Sequence, residues 1–466
     1  MAIEKKTRKT IISILLAIVL MLVIGFAPPV TELMSRQAWQ YLGCFTFMLV
    51  ALISGAMADW AAVIATMGLL CVFGIGTVSS VTSQFAGSTL WLCIGVFVMS
   101  VGINNSGFMK RIALWVLCKF PGTYRAQVTA MLLAGLATTP MIPSAFAKTA
   151  LMAPMTAQVS EVIGVKPFSK QALGIWFANF ACTYTLGNAF MSGSAFVALM
   201  IGFMGMNFTW GGWLAATWLW YVVLIVLIFL FCTVYCAPKG KVSGDVSFLK
   251  EQYNALGPMT LKEKQGVIIV CCALAAWITQ ELHGVDAGMV ALIADAAFVC
   301  CGLITSPDAN AKGQWTLVIF IGGVLSIANF MTSTGCGDWI ASWLGPICAP
   351  MLSSPYIFVI CVCLLTFVLR YVIVSQTCCL TVLTGVFSPL LPGTGISMFV
   401  FVFTCYMATM FWNEAYMNPS VAGFVRMTGG KYVDMKLARQ ASIFYMGAVL
   451  IALLASVPLW QSLGLC

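Results

Sequence analysis

Charged side chains inside long apolar stretches are the residues of this sequence whose chemistry stands out. Of 466 residues, 61% are hydrophobic and only 8% are charged, and a charge within an apolar segment usually faces a cavity or a partner. Lys148 follows Ser144 by one helical turn, on the same helix face. Its ammonium could bind an anionic substrate, stand where a coupling sodium ion would lie, or extend to the cytoplasmic surface. Arg370, shortly before Ser375, could clamp a carboxylate bidentately or extend outward.

Two acidic residues fall in similar surroundings. Glu414 lies in a stretch with Asn, Pro and Ser where a helix is predicted to be interrupted, and a buried carboxylate there could carry a proton. It could equally be the ion-pair partner of Lys148 or Arg370. Asp295 lies in the middle of a predicted span, where a structural, hydrogen-bonded role is favoured.

The composition excludes several functional classes. No long polar stretch remains for a soluble catalytic domain, and the formal net charge of +9 is spread through loops rather than clustered as nucleic-acid binding requires. The single histidine, His283, argues against a His-based metal site or catalytic triad. The 19 cysteines lie mainly in apolar runs without CxxC spacing, and we interpret them as small packing residues. We therefore predict no enzymatic activity and no nucleic-acid partner.

Apolar segments that could cross a bilayer make up most of the chain. At about 20 residues per crossing, the polar punctuation predicts an all-α integral membrane protein with about eleven spans. The basic N-terminus and the apolar run after it lack a small-residue cleavage site, which indicates a first transmembrane helix rather than a signal peptide. The predicted spans lie near 11–27, 37–55, 60–78, 88–107, 171–186, 213–236, 266–282, 285–304, 315–333, 397–415 and 440–460.

Two further apolar stretches, 126–157 and 354–391, are too long for one ordinary span. Polar segments at 138–144 and 374–377 break them mid-way. Each predicts a re-entrant hairpin, which a membrane tolerates where the polar tip packs in protein or faces water.

The positive charges fix a predicted orientation. With the N-terminus in the cytoplasm and neither hairpin crossing, all Lys and Arg residues except Arg36, Lys148 and Arg370 fall in cytoplasmic segments, as the positive-inside rule requires. Arg36 falls in an outside loop, and the other two lie within the hairpins. Topology therefore leaves two cations unexplained.

The chain contains an internal repeat. The segments that start at Trp91 and Trp315 are alike. Asp59 and Asp286, which each open a span, are separated along the chain by nearly the same number of residues as the two Trp segments. Because each repeat holds five spans, an odd number, the second is predicted to be inverted, as in many secondary transporters. The predicted organisation is an N-terminal helix in 1–36, a first repeat in 37–236, a cytoplasmic connection in 237–265 and a second repeat in 266–466.

Over nearly its whole length the sequence resembles the divalent anion/sodium symporters, the family of dicarboxylate, citrate and sulfate transporters. The likeness is carried by the two Trp segments, the amphipathic stretches after them at 108–113 and 338–341, the hairpins, and GlyGlyLysTyrValAspMet at 429–435. In that family each hairpin tip carries Ser-Asn-Thr, which coordinates sodium and contacts substrate carboxylates. Here the second tip reads Ser375, Gln376, Thr377 and the first reads Ser144, Ala145, Phe146.

The resemblance implies a homodimeric elevator-type transporter whose site is built from the hairpin tips and from helices interrupted near 185–194 and 412–420. Sodium, if bound, would be held at the second tip by Ser375 and Gln376. The first tip lacks the family's amide and hydroxyl and adds the charge of Lys148, so we predict no sodium there. The residues expected to bind substrate are Ser144, Lys148, Asn188, Arg370, Ser375, Gln376, Thr377 and Asn418.

The sequence thus predicts a multi-pass transporter of the cell membrane for small organic anions, most of all C4-type di- and tricarboxylates. Transport would run as anion exchange or on a proton carried by Glu414. One alternative is a sodium- or proton-coupled transporter of a sulfate-type oxyanion, or an ion antiporter of the same superfamily. Alternatives of another class, a substrate-sensing receptor or a membrane-embedded enzyme, would need an output domain or a cluster of His, Asp or Glu, and neither is visible.

Overall fold

The computed structural model describes residues 2–27, 34–141, 145–312, 314–427 and 430–466. These residues form helices and loops, and their only β-type pairing is an isolated bridge between Thr123 and Ser243. The all-α fold class is therefore confirmed. Within the described residues, six helices are long and apolar enough to cross a membrane, and five shorter helices are also apolar, as expected of a multi-pass membrane protein.

The helices follow one another in two comparable series. The first series is α1 (Ala2–Phe26), α2 (Arg36–Ser54), α3 (Asp59–Val72), α4 (Val78–Val81), α5 (Ser88–Ser106), α6 (Phe108–Lys119), α7 (Tyr124–Thr138), α8 (Ala145–Val162), α9 (Lys170–Tyr184), α10 (Ala195–Met204), α11 (Trp210–Leu230) and α12 (Ser247–Ala255). The second is α13 (Leu261–Ile278), α14 (Gln280–His283), α15 (Ala287–Cys300), α16 (Ser306–Lys312), α17 (Trp315–Ser333), α18 (Cys336–Leu352), α19 (Pro355–Val372), α20 (Gln376–Phe387), α21 (Met398–Thr409), α22 (Pro419–Met427) and α23 (Met435–Ser462).

Corresponding helices of the two repeats have matching lengths. The two Trp segments form α5 and α17, each of 19 residues, and the helices that begin near Asp59 and Asp286 are α3 and α15, each of 14 residues. Two-armed hairpins, α7 with α8 and α19 with α20, follow in the same order, and each precedes an interrupted helix. The inverted orientation of the second repeat stays a prediction.

Some helix bounds differ from the predicted spans. The third span was expected to reach residue 78, but α3 ends at Val72, because Gly74 adopts a left-handed conformation (φ 69°) that a helix cannot continue through. Gly302 (φ 67°) likewise follows the end of α15. The first arm of the second hairpin, α19, is itself among the six span-length helices. The number of crossings therefore stays a prediction.

Packing separates the helices into two groups. In one, both arms of the first hairpin, α7 and α8, pack against α9, and both arms of the second, α19 and α20, pack against α21. In the other, α2 packs against α1 and α3, α3 packs against α17, and α15 packs against α5 and α13. We call the hairpins and interrupted helices the hairpin group and the uninterrupted helices named here the frame group. The two groups meet at α10, the second part of the first interrupted helix, which contacts both α21 and α5.

Segments predicted to lie on the cytoplasmic side contact one another. Arg111 Nε donates to Glu263 Oε1 at 2.8 Å, and this hydrogen bond lowers the pKa of the Glu263 carboxyl. Phe168 N donates to Tyr432 O at 2.9 Å. Each contact joins two segments that charge counting assigns to the same side. Which side of the membrane that is stays a prediction.

Candidate functional site

Lys148 lies on α8, the second arm of the first hairpin, and is enclosed by protein. It is 1% exposed, and its Nζ donates to the carbonyl oxygen of Gly193 at 3.0 Å. Gly193 belongs to the stretch between α9, which ends at Tyr184, and α10, which begins at Ala195. The alternative in which Lys148 reaches the cytoplasmic surface is therefore wrong. The ammonium lies against a backbone carbonyl of the interrupted helix, as a bound cation would.

The backbone around this ammonium requires glycine. A Cβ on Gly187 would lie 2.8 Å from Lys148 Nζ and 2.6 Å from Gly193 O, and a Cβ on Gly193 would lie 2.5 Å from Gly187 O. Real side chains do not fit at such distances without moving backbone. The two glycines therefore let the interrupted helix fold closely around the cation.

Other carbonyl groups of the same stretch receive donors from neighbouring helices. Trp213 Nε1 on α11 donates to Asn188 O at 3.0 Å, and Thr217 Oγ1 donates to Ala189 O at 3.1 Å. Backbone groups freed by a helix break inside a membrane must be satisfied by protein. Side chains of α11 therefore satisfy carbonyl groups that the break in the first repeat leaves free.

Arg370 has the equivalent role in the second repeat. It lies near the end of α19, is 0% exposed, and directs its guanidinium at backbone carbonyl groups. Nε donates to Thr409 O at 3.0 Å, Nη2 donates to Met417 O at 2.6 Å, and Nη1 donates to the oxygens of Ile373, at 2.7 Å, and Val374. The alternative in which Arg370 extends outward is wrong. Four of the five N–H groups of a guanidinium are engaged with the backbone.

Neither buried cation is neutralised by a neighbouring acid. In the described part of the chain, Lys148 and Arg370 have no carboxylate within ion-pair distance. Their hydrogen bonds to carbonyl oxygens offset part of the cost of burial but supply no net negative charge. The hairpin group therefore buries two cationic side chains that have no ion-pair partner among the described residues.

Gln376, the middle residue of the second tip, joins the two repeats. Its Oε1 accepts a hydrogen bond from the Tyr184 hydroxyl at 2.8 Å, and its Nε2 donates to Thr409 O at 3.2 Å. Tyr184 ends the first part of one interrupted helix and Thr409 ends the first part of the other. The second tip therefore lies at the junction of both helix breaks.

Ser375 and Thr377, the outer residues of the tip, contact the frame group instead. Ser375 Oγ donates to Asp59 Oδ2 at 3.0 Å, and Thr377 Oγ1 lies 3.4 Å from the same oxygen. Ser375 and Gln376, the pair predicted to hold sodium, are thus engaged with different partners. Their hydroxyl and amide oxygens suit sodium chemically, and sodium binding stays a prediction.

Two buried asparagines bring side-chain groups without partners into the helix breaks. Asn188 Nδ2 donates to Thr185 O at 2.9 Å and lies 3.2 Å from Met410 Sδ, which joins the two breaks. Asn418 Oδ1 accepts from Ser420 N at 3.0 Å. Among the described residues, Asn188 Oδ1 and Asn418 Nδ2 have no hydrogen-bond partner. The Asn188 acceptor is therefore available to a polar ligand, whereas the Asn418 amide also lies beside the Tyr184 hydroxyl.

Glu414 does not match its prediction. Its side chain is 42% exposed and forms an ion pair with Arg439 at 2.7 Å, so the expectations of a buried carboxylate and of a partner in Lys148 or Arg370 are wrong. The reason is that the break after α21 leads to the protein surface before α22 begins.

Asp295 is 8% exposed, but its Oδ1 has no partner among the described residues, so the favoured hydrogen-bonded role is not seen for that atom. Ser144 lies outside the described residues.

Sequence reasoning missed three contributors to this region. Asp59 was noted as the start of a span but not as a contact of the second tip, and neither Tyr184 nor Thr409 was singled out. A signal existed for Asp59, since it is one of only 14 acidic residues and opens an apolar helix. The other two contribute through contacts between distant segments, which the sequence does not reveal.

A cavity of about 660 Å³ lies between the two helix groups, away from the tip. It is bordered by Thr381 and Thr384 of α20 on one side and by Val324 and Ala328 of α17 on the other. None of the predicted site residues that the structure describes lines it. It separates the second hairpin from the frame group along the arm of the hairpin.

A buried cluster of two helix breaks and two hairpins within an apolar helical protein defines a membrane transporter. The solved structure of the Alcanivorax borkumensis YdaH transporter has a similar fold, with a TM-score of 0.56 over 98% of both chains at 15% identity. Residues 8–466 match the family described as the sodium:sulfate symporter transmembrane region. The chain belongs to this family of divalent anion symporters.

Curated relatives are similarly distant in sequence. The inner membrane protein YbhI of Escherichia coli K12 is 24% identical over 350 residues, which cover 72% of this chain and 73% of the relative. The L-tartrate/succinate antiporter of the same strain is 24% identical over 405 residues, 79% of this chain and 80% of the relative. These relatives are membrane transporters or inner membrane proteins, in agreement with a transporter rather than an enzyme.

Proposed function

We propose that the protein is a secondary active transporter that exchanges small organic anions, C4-type di- and tricarboxylates, without a requirement for sodium. The observation that carries the proposal is the pair of buried cations, Lys148 and Arg370, which are 1% and 0% exposed and lack an acidic partner among the described residues. Burying uncompensated charge is costly. A ligand with two carboxylates would balance both charges.

Hydrogen-bonding groups suited to a carboxylate surround these charges. A lysine ammonium has three donors, and Lys148 uses one of them for Gly193. The Asn418 amide, which lies beside the Tyr184 hydroxyl, is a further donor, and Ser375, which caps α20, lies at a helix N-terminus that favours negative charge. The name of the L-tartrate/succinate antiporter supports a dicarboxylate substrate.

The position of Lys148 supports independence from sodium. Its ammonium bonds to a carbonyl group of the first helix break, and a sodium ion close by would meet a like charge. At about 4 Å that repulsion is on the order of 4 kcal/mol at an effective dielectric of 20. A cation fixed to the chain would hold the hairpin and the break together without crossing the membrane as a separate coupling ion, which favours exchange as the means of driving uptake.

The elevator mechanism and the homodimer rest on the family resemblance. The hairpin group would move as a unit against the frame group, and the cavity of about 660 Å³ between α20 and α17 offers space for such movement. Each anion would cross the membrane within the moving group. The N-terminus would lie in the cytoplasm.

The test is transport by the purified protein in proteoliposomes. Labelled succinate uptake is compared between vesicles loaded with succinate, with sulfate or with buffer, in sodium and in choline media. We expect rapid uptake only into succinate-loaded vesicles, equal in the two media. Uptake that collapses in choline and returns cooperatively with sodium would identify a sodium symporter. Uptake that internal sulfate drives as well as internal succinate does would show that the site also carries an oxyanion.

A further inference from the structure

The tip of the second hairpin is tied to the frame group by one carboxylate. Asp59 opens α3, which packs against α2 and α17, whereas Ser375 and Thr377 begin α20 in the hairpin group. Asp59 Oδ2 lies 3.0 Å from Ser375 Oγ and 3.4 Å from Thr377 Oγ1. The two groups that would have to separate during transport are therefore joined at the binding residues themselves.

The donors that hold Asp59 are those proposed for a substrate carboxylate. Ser375 Oγ and Thr377 Oγ1 lie 2.8 Å apart, within hydrogen-bond distance of each other, and each hydroxyl carries one proton. Thr377 can therefore donate to Ser375 while Ser375 donates to Asp59 Oδ2, so that both hydroxyls support one carboxylate oxygen. Ser375 is the N-cap of α20, where the helix dipole favours an anion. Asp59 thus presents to the tip the same chemical group that a dicarboxylate would present.

A role for Asp59 in capping its own helix does not account for this contact. Its counterpart in the second repeat, Asp286, caps α15 by accepting from Gly288 N at 2.8 Å. Asp59 is instead the first residue of α3, and the preceding cap position, Ala58, makes no side-chain hydrogen bond. The two aspartates hold corresponding places in the repeats, and among the described residues the contact with a hairpin tip is made by Asp59.

We propose, on the basis of the exchange function above, that Asp59 is a built-in substitute for the substrate carboxylate that latches the empty transporter. With the site empty, its hydrogen bonds hold the second hairpin against α3. A substrate carboxylate that takes the hydroxyls of Ser375 and Thr377 displaces Asp59 and releases the hairpin group. Because only the loaded form is released, the empty form does not return across the membrane, and transport is restricted to exchange.

The experiment compares Asp59→Asn and Asp59→Ala with Asp286→Asn, a matched control at the corresponding repeat position, in the full-length protein. Labelled succinate uptake is measured into vesicles loaded with succinate, which reports exchange, and into vesicles without succinate, which reports net transport. We expect the ratio of net transport to exchange to rise roughly tenfold in Asp59→Ala, the factor typical of one lost hydrogen bond to a charged group. For Asp59→Asn, which keeps an acceptor oxygen but no charge, the ratio should lie between those of the wild type and Asp59→Ala. Asp286→Asn should keep the wild-type ratio.

Succinate affinity, measured by thermal shift in detergent, gives a second readout. Removing an internal competitor should make succinate bind more tightly to both Asp59 variants. An unchanged ratio with unchanged affinity would overturn the latch, and so would weakened binding by folded Asp59→Ala protein, since Asp59 would then belong to the binding site. If Asp59→Ala does not fold, Asp59→Asn decides by the same criteria. Absence of exchange in the wild-type protein would instead refute the function on which the latch rests.

Discussion

The two repeats meet the same structural need with different cations. In the first, Lys148 comes after the hairpin tip and gives one hydrogen bond, to Gly193 of the following helix break. In the second, Arg370 comes before the tip and gives four, two of them to carbonyl groups that flank the following break. Both are buried, and both satisfy carbonyl groups that an interrupted helix leaves free.

The difference between the cations separates their roles. Lys148 keeps two of its three ammonium donors without a partner among the described residues, so it can respond to a ligand. Arg370 has one N–H group without a backbone partner, and the other four hold its guanidinium in place. It therefore acts mainly by holding the second tip to the second break. We infer that the first repeat contributes the more adaptable charge and the second the more rigid frame of the site.

The largest expected effect is that of Arg370→Ala on stability. The change removes four hydrogen bonds and leaves the buried carbonyl groups of Ile373 and Met417 without a donor among the described residues, whereas Thr409 O keeps Gln376 Nε2. Unsatisfied buried groups cost about 1–3 kcal/mol each. We expect the purified protein to unfold at a markedly lower temperature in detergent, with Arg370→Lys intermediate because an ammonium cannot reproduce the fork. A melting temperature equal to that of the wild type would contradict a structural role for Arg370.

Lys148→Ala should affect binding more than folding. We expect succinate affinity to fall by at least about tenfold, or 1.4 kcal/mol, because one of the two buried charges that balance the substrate is lost. Binding is measured by thermal shift, and the exposed Lys166 near the end of the same hairpin supplies the control Lys166→Ala. Normal affinity in Lys148→Ala would move the anion site away from the first repeat.

The same position tests whether Lys148 replaces a coupling cation. In Lys148→Ser a hydroxyl oxygen stands where the ammonium was, and carbonyl oxygens are ligands that sodium accepts. We expect the melting temperature of this variant to rise with sodium relative to choline, whereas that of the wild type should not. Equal behaviour in both salts would show that the first break does not favour a small cation.

Smaller effects are expected from the two asparagines. Asn188 and Asn418 each keep one side-chain group without a partner among the described residues, and one neutral hydrogen bond is worth about 1 kcal/mol. Asn418→Ala should weaken succinate binding about fivefold. Asn188→Ala should have a similar effect on binding but also lower stability, because it removes the contact with Thr185 O. A loss confined to one variant would assign the substrate to one repeat.

The smallest effect is expected from Glu414→Gln. Its ion pair with Arg439 is 42–44% exposed, and exposed pairs contribute about 0–1 kcal/mol. Exchange and its dependence on pH should match the wild type. If the pH dependence of exchange became flatter in Glu414→Gln, the result would support the proton-carrying role predicted from the sequence.

The sequence by itself determined the all-α membrane class, the family, the positions of both hairpins and the two cations that topology could not explain. Hydrophobic segment length, loop charge and the internal repeat are local properties of a chain, so they can be read without knowing which segments meet. Only the tertiary structure decided that Lys148 and Arg370 face backbone carbonyl groups, that Glu414 pairs with Arg439 near the surface, and that Asp59 contacts the second tip. These outcomes depend on contacts between residues far apart in the chain, such as Tyr184 with Gln376. Spacing along the sequence does not predict such contacts.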